Sequence, residues 1–414
     1  MKVLVLAGGY DQIGLIRELK SRGHYVILAD YFENPPAKKE ADKHYQASTL
    51  DENAIYEIAK GEEVGLITTA CTDQALLTVA KVSEQLNLPC YISYEKALSV
   101  TNKKYMKEVF INNDIPTAKC TVLNEDVDIE IILEQLSYPM VVKPCDCNSS
   151  KGVVKVNDDE ELENAIKQAF ELSRSNLVIV EKYLVGREVS IDAWIDKEGA
   201  KILSISETEK IQNGQDSFTI YKSKYPVKIT KTVKDKVQKV AQMISESFEL
   251  YNCPLLIQAI VDENDVYVIE FSARMGGGTK YKLIEYMASV NIMKAYVNRV
   301  LGDEEQIINP IPSEKCIELN YVYAKNGTFA QLVNFDELVR SGEVADYYQY
   351  KETGAVIEKA TTSSDRIAGF LILSDNEEQI GQKRRSVVEK LDVLNEVGES
   401  MMLKEIYGGN DLEK

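Results

Sequence analysis

Two polar residues set inside apolar runs give the first indication of chemistry. Residues 255–279 read LLIQAIVDENDVYVIEFSARMGGGT. The runs Leu255–Val261 and Val266–Phe271 flank the polar turn Asp262-Glu263-Asn264-Asp265, a pattern that predicts a β-hairpin. Gln258 lies within the first run and Glu270 within the second. A carboxylate in such surroundings is costly unless it is paired or bound to a cation. Alternation places Ser272 on the same strand face as Glu270. Arg274 and the glycines Gly276, Gly277 and Gly278 follow at once. Oxygen ligands, a guanidinium and a glycine-rich turn together suit a Mg²⁺–phosphate site. The simpler account is an ion pair of Arg274 with Glu270 or Glu285 that fixes the turn.

Other residues fit the same chemistry. Lys103 and Lys143 each sit at the edge of a regular element, and two lysines in one cleft would neutralise phosphate oxygens. Asn148-Ser149-Ser150-Lys151-Gly152 offers backbone N–H groups and hydroxyls, the usual means of cradling phosphate. Glu181 with Lys182 to Leu184 could supply backbone groups to an adenine edge, and Glu188 could accept hydrogen bonds from ribose hydroxyls. Gln258, Glu270 and Ser272 would supply oxygens to a metal ion. Singly, each is as well explained as solvated surface; their order along the chain carries the argument.

The elements that must position them alternate in type. Strands at Lys2–Leu6, Tyr25–Ala29 and Val64–Thr69, with helices at about Asp11–Arg22 and Asp73–Leu86, predict a doubly wound parallel sheet. The turn Gly8-Gly9-Tyr10-Asp11-Gln12-Ile13-Gly14 and Asp30 resemble a dinucleotide loop, but the spacing is not G-x-G-x-x-G. From Asn102 the texture changes. A helix opens at Asn102-Lys103-Lys104, a strand closes on Lys143-Pro144, and Cys145–Gly152 is polar. A strand runs from Arg187 to Ile195, and a helix from Lys231 to Leu250. Strands at Cys316–Ala324, Val344–Tyr350 and Ile367–Leu373 belong to a last region. The expected division is an N-terminal α/β domain at 1–100, a two-part domain at 101–310 whose lid covers about 118–184, and a C-terminal α+β region with a mixed sheet at 311–414.

Composition removes several classes. The net charge of −18 argues against nucleic acid, whose binders usually carry a basic face. No apolar stretch approaches the roughly 20 residues of a membrane helix. The N-terminus reads as a strand entering a turn, not as a signal peptide. Seven scattered cysteines fit reduced thiols and a cytoplasmic location, and Cys145-x-Cys147 lacks a second pair for zinc. Two histidines, His24 and His44, leave little room for Ser-His-Asp chemistry. No G-x-x-x-x-G-K-[ST] motif occurs.

Taken in order, NKKYM (102–106), YPMVVKP (138–144), SSKG (149–152), EKYLVGREVSID (181–192) and QAIVDENDVYVIEFSARMGGG (258–278) resemble the ATP-grasp superfamily over roughly residues 1–310. The likeness is to the carboxylate–amine ligase group that includes the carbamoyl-phosphate synthetase large subunit, glycinamide ribonucleotide synthetase, biotin carboxylase and the L-amino-acid ligases. It implies that Lys103 and Lys143 contact ATP phosphates and that Ser150 and Gly152 lie in a loop over them. It implies that Glu181, Lys182 and Leu184 hold adenine and Glu188 ribose, and that Gln258 and Glu270 bind Mg²⁺ or Mn²⁺. Arg274 would steady an acyl-phosphate. Where the family usually has Asn, this chain has Ser272. The implied activity is an ADP-forming ligase joining small-molecule carboxylate and amine substrates, an amino-acid ligase among the choices; a homodimer is compatible with it. Bicarbonate activation, a glycinamide-ribonucleotide-type ligation, a nucleotide-binding protein without turnover and an NAD-dependent oxidoreductase built on Gly8, Gly9, Gly14 and Asp30 are the competing readings.

Overall fold

The computed structural model describes residues 1–124, 129–147, 150–211, 217–303, 308–358 and 362–408. The first strands are β1 (Lys2–Leu6), β2 (Tyr25–Asp30), β3 (Lys43–Gln46) and β4 (Leu66–Thr68), all parallel in the order β3-β2-β1-β4. The apolar runs of β1, β2 and β4 are buried on both faces, as a parallel sheet covered by helices requires. The helices Asp11–Ser21 and Asp73–Leu86 start at the C-terminal ends of β1 and β4. An aspartate therefore stands at the first turn of each, where the helix dipole favours negative charge.

A second sheet is wholly antiparallel. It contains β5 (Cys120–Leu123), β6 (Met140–Pro144), β7 (Val154–Val156) and β8 (Val178–Lys182), in the order β5-β8-β6-β7. The helix Asp159–Leu172 covers its apolar face through Leu162, Ala165 and Ala169. Pro144 ends β6, where its missing N–H costs no ladder bond.

The largest sheet begins with β9 (Arg187–Asp196), β10 (Gly199–Lys210), β11 (Ile220–Tyr225), β12 (Cys253–Val261), β13 (Val266–Ser272) and β14 (Cys316–Val322). The C-terminal stretch adds β15 (Gly327–Val333), β16 (Asp346–Gln349), β17 (Val356–Ile357), β18 (Ala368–Ser374) and β19 (Asp392–Asn395). The order is β13-β12-β9-β10-β11-β14-β18-β16, eight strands in one ladder; β17-β15-β19 form a small separate sheet. The expected C-terminal strands thus continue the sheet that carries the hairpin, and every pairing there is antiparallel. The physical reason is that β11 presents an open edge to β14, and β14 pairs with it from Lys222↔Asn320 to Tyr225↔Ile317. Among the described residues no helix is long and apolar enough to cross a membrane.

The hairpin is formed by β12 and β13, with Gln258 directly opposite Glu270 and Leu256 opposite Ser272. Between Gln258 and Ala259 the register shifts, so that Ile269 is an extra residue in β13. Such a bulge re-aims neighbouring side chains and is common beside active sites. It breaks the simple alternation on which the sequence pattern relied.

Candidate functional site

Between the β5–β8 sheet and the eight-stranded sheet lies a cavity of about 860 Å³, within the range of small-molecule sites. Nine residues singled out from the sequence line it: Lys103, Lys143, Ser150, Glu181, Lys182, Leu184, Glu188, Gln258 and Glu270. They come from both sheets, from the turn between β8 and β9, from the loop between β6 and β7 and from the helix that starts at Lys103. Its far wall includes Glu405 and Ile406 of the C-terminal turn Lys404–Tyr407.

Lys103 opens the helix Lys103–Asn112, whose N-cap Asn102 accepts from the Lys104 N–H. A cation at a helix N-terminus opposes the dipole, so its placement there serves something other than helix stability. The Lys103 ammonium donates to the Cys147 carbonyl at 2.7 Å and pairs with Glu270 Oε2 at 3.2 Å. The Lys103 N–H donates to the Cys145 carbonyl. The helix start, the 145–147 loop and the hairpin carboxylate are thereby tied together.

Lys143 and Glu181 sit on the adjacent strands β6 and β8, displaced diagonally by two residues. Glu181 is buried and receives two cations, Lys143 at 2.5 Å on Oε2 and Lys107 at 3.0 Å on Oε1. Burial alone would raise the Glu181 carboxyl; the two ammonium groups overcome it and hold the carboxyl down at about 2. Burial pushes Lys107 below its ordinary value, in spite of Glu181. The direction that decides the charge state is that of Glu181, which is ionised with two partners.

Ser150 has positive φ and its hydroxyl donates to the Phe218 carbonyl at 3.1 Å. Gly152 does not line the cavity. It has φ +73, and a Cβ there would lie 2.8 Å from Leu172 and 2.9 Å from Pro144; it closes the loop onto β6. Asn148 and Ser149 lie outside the described residues.

Ser272 and Arg274 also lie off the cavity lining. Ser272 is buried and, unlike Gln258 and Glu270, does not line the cavity. Arg274 is paired with neither Glu270 nor Glu285. Its guanidinium makes a bidentate contact with Asp73, Nε to Oδ1 at 2.8 Å and Nη2 to Oδ2. A second aspartate, Asp11, accepts the Gly278 N–H at 2.9 Å and the Thr279 N–H at 2.7 Å. Two carboxylates from the ends of the parallel sheet therefore clamp the 274–279 turn.

Sequence reasoning missed Lys107 and the charged row on β10 and β11. Lys210 pairs with Glu188 at 2.6 Å, Lys222 with Glu209 at 2.9 Å, and Lys224 with Glu209 at 3.0 Å. Burial raises the Glu209 carboxyl, but Lys222 and Lys224 bring it to about 2. In ISETEK, Glu207 and Glu209 alternate with Ser206 and Thr208, a polar pattern that gives no sign of a cavity wall. Glu188 is thus already partnered by a cation.

The donor set fits a hard cation. Mg²⁺ is commonly held by one or two protein oxygens plus substrate phosphates, and Gln258 and Glu270 face each other in register at the cavity wall. Among the described residues no cluster of three or more His, Cys, Asp or Glu forms a full metal cage. The dinucleotide-like loop is filled by the protein itself at two of its glycines, Gly8 and Gly14. Asp30 accepts the Gly8 N–H at 2.7 Å, Pro35 packs on Gly8, and Gly14 abuts Tyr281.

Residues 136–282 match the family model of the ATP-grasp domain. The chain is 25% identical over 299 residues to D-alanine–D-alanine ligase of Staphylococcus carnosus, covering 64% of this chain and 81% of that protein. It is 24% identical over 399 residues to formate-dependent phosphoribosylglycinamide formyltransferase of Sulfurisphaera tokodaii, covering 90% and 97%. Among solved structures, the biotin carboxylase domain of Hydrogenobacter thermophilus 2-oxoglutarate carboxylase, in complex with MgADP, ADP and bicarbonate, superposes with a TM-score of 0.79 at 17% identity, over 99% of this chain and 94% of that one. That likeness shows the fold.

Proposed function

Since the chain belongs to the ATP-grasp superfamily, we propose that it is an ADP-forming carboxylate–amine ligase working through an acyl-phosphate. One observation carries this reading. Lys103, Lys143, Gln258 and Glu270 surround one cavity large enough for a nucleotide. In it, Lys182 to Leu184 and Glu181 serve adenine, Glu188 and its partner Lys210 serve ribose, and Lys103, Lys143 and the Ser150–Gly152 loop serve the phosphates. Gln258 and Glu270 would hold Mg²⁺; Ser272, off the cavity lining, is the weakest member of that set. The metal's contribution would be to neutralise phosphate charge as it develops.

The protein's own part is positioning and electrostatics, the main resources in phosphoryl transfer. A carboxylate oxygen attacks the γ-phosphorus, the bond to the β-phosphate oxygen breaks, and ADP leaves. The amine lone pair then forms the C–N bond, the acyl C–O bond to phosphate breaks, and the amine's proton passes to solvent. Arg274, its Nε–Nη2 edge held by Asp73, would offer its remaining Nη hydrogens to the acyl-phosphate. Closure of the 145–152 loop would exclude the water that destroys such an intermediate. Bicarbonate as the acid would use the same groups. The cytoplasm, where ATP is plentiful, fits the reaction.

Chromatography of spent nucleotide, with acids and amines supplied in pairs, tests the proposal. ADP and inorganic phosphate are expected. AMP and pyrophosphate as the main products would overturn it.

A further inference from the structure

Arg366 is not used by the reaction as described. It follows the short turn Ser363–Asp365 and precedes β18. Its guanidinium lies over the Tyr321 ring, 3.5 Å from the centroid, and Nε donates to the Tyr323 hydroxyl at 3.2 Å. Among the described residues the two Nη groups have no hydrogen-bond partner and no carboxylate within ion-pair distance. The chain carries 66 acidic residues against 48 basic ones, so a partly buried arginine without a carboxylate is an exception to its surroundings. Stacking on an aromatic face leaves the planar edge of a guanidinium free. That edge is the part that takes a carboxylate in two parallel hydrogen bonds.

The free edge reaches the glycine turn, since a side-chain carbon on Gly278 would collide with Nη1. Around it stand Tyr321, whose hydroxyl donates to the Gly278 carbonyl at 3.1 Å, and Tyr350, hydrogen-bonded to Thr279 at 2.8 Å. Tyr10 meets Tyr350 edge-on at 5.7 Å. Asp11, on the other side of Gly278, places a negative charge beside this positive one. A cation and an anion flanking one turn, with an aromatic wall, match a zwitterion.

We propose that Arg366 is the anchor for the α-carboxylate of an amino acid that supplies the amine, with its side chain against Tyr10, Tyr321 and Tyr350. The proposal rests on the ligase reading above and narrows its nitrogen substrate to an amino acid, excluding ammonia. The anchored group belongs to the amine substrate for a chemical reason. A carboxylate held on a guanidinium has its lone pairs engaged and attacks phosphorus poorly, whereas an α-carboxylate stays intact through amide formation. Arg366 also lies off the nucleotide cavity, where the activated acid must be.

The test measures binding and turnover separately. The twenty amino acids, their carboxamides and ammonium are compared by thermal shift in the presence of Mg²⁺ and a non-hydrolysable ATP analogue, and by ADP release with candidate acids. At least one amino acid is expected to stabilise the protein while its carboxamide does not. Arg366→Met should weaken that amino acid by at least about tenfold. Arg366→Lys, which keeps the charge and the ring contact, should fail likewise because it lacks the two-pronged edge. Both variants should keep the nucleotide-dependent shift, which controls for folding; if Arg366→Met does not fold, Arg366→Lys carries the comparison. Unchanged amino-acid affinity in a folded variant, carboxamides binding equally well, or no amino acid binding at all would overturn the proposal. If ammonium alone sustains ADP release, the ligase reading stands and this inference falls. If amino acids bind through Arg366 while AMP and pyrophosphate form, the anchor stands and the ligase reading falls.

Discussion

Replacing Glu181 by glutamine should destabilise the protein severely while preserving its shape. Glu181 is 4% exposed and lies between Lys107 and Lys143, which are also buried. Removing one member of a buried ionic cluster leaves uncompensated charge and typically costs about 3–5 kcal/mol. The acid side of the titration gives a similar figure. The carboxyl is held at about 2 against an ordinary 4.5, which at 1.36 kcal/mol per pH unit corresponds to about 3 kcal/mol. Because the folded value lies below the unfolded one, this stability is present above pH 4.5 and is lost as pH falls from there toward 2. Lys107 works in the opposite sense, since burial lowers its value, so the net worth of the cluster is smaller than the carboxylate's share. Denaturant unfolding followed by Trp194, which is buried on β9, measures both effects. The expected outcome is a loss of about 3 kcal/mol at pH 7 in Glu181→Gln and a shallower acid dependence below pH 4.5. A loss under about 1 kcal/mol, with acid slopes equal in the two proteins, would refute the assignment of a charged, doubly paired Glu181.

Glu270→Gln keeps shape and removes the charge facing Lys103 and Gln258; turnover should fall at least about a hundredfold with little change in thermal stability, and near-normal activity at saturating Mg²⁺ would misplace the metal site. Arg274→Lys should lower kcat sharply with ATP affinity little changed, because lysine cannot reproduce the bidentate contact to Asp73; weaker ATP binding with intact kcat would assign the arginine to the nucleotide. Amides in 145–152 should gain protection from hydrogen exchange when a non-hydrolysable ATP analogue is added; equal protection in both states would remove the gating role of this loop.

The strongest sequence patterns were those whose periodicity and site chemistry agreed. The β12–β13 hairpin announced itself because apolar runs flank a polar turn and enclose Gln258 and Glu270. The alternation of strand and helix in the first hundred residues led to the parallel sheet, and the run ending in Lys143-Pro144 to β6. What stayed hidden depended on distant partners. Lys107 reads as an ordinary surface lysine until the fold brings Glu181, 74 positions away, against it. Asp73 meets Arg274 across 201 positions, and Asp11 meets Gly278 across 267; no local pattern encodes either. β10 and β11 were missed because Glu207, Glu209, Lys222 and Lys224 alternate as they would on a solvated strand, whereas here Glu207, Glu209 and Lys222 line a cavity. Gly8 and Gly9 suggested an open ligand loop, but Pro35 and Asp30 occupy the space beside Gly8. The bulge at Ile269 is likewise invisible to a strict two-residue period.

The unbroken ladder from β13 to β16 gives the C-terminal stretch a task apart from catalysis. β11 would otherwise end the sheet with its backbone donors and acceptors open to any passing strand, a recognised route to aggregation. By pairing β14 there, the chain seals that rim and moves the exposed edge outward to β16, a strand of only four residues, Asp346–Gln349. A fragment ending near residue 310 would keep every lysine of the cavity, and every glutamate but Glu405, and still carry a raw seam along Lys222 and Lys224. The last hundred residues therefore act as a selvedge, the finished border that keeps the cavity floor from joining to its own copies.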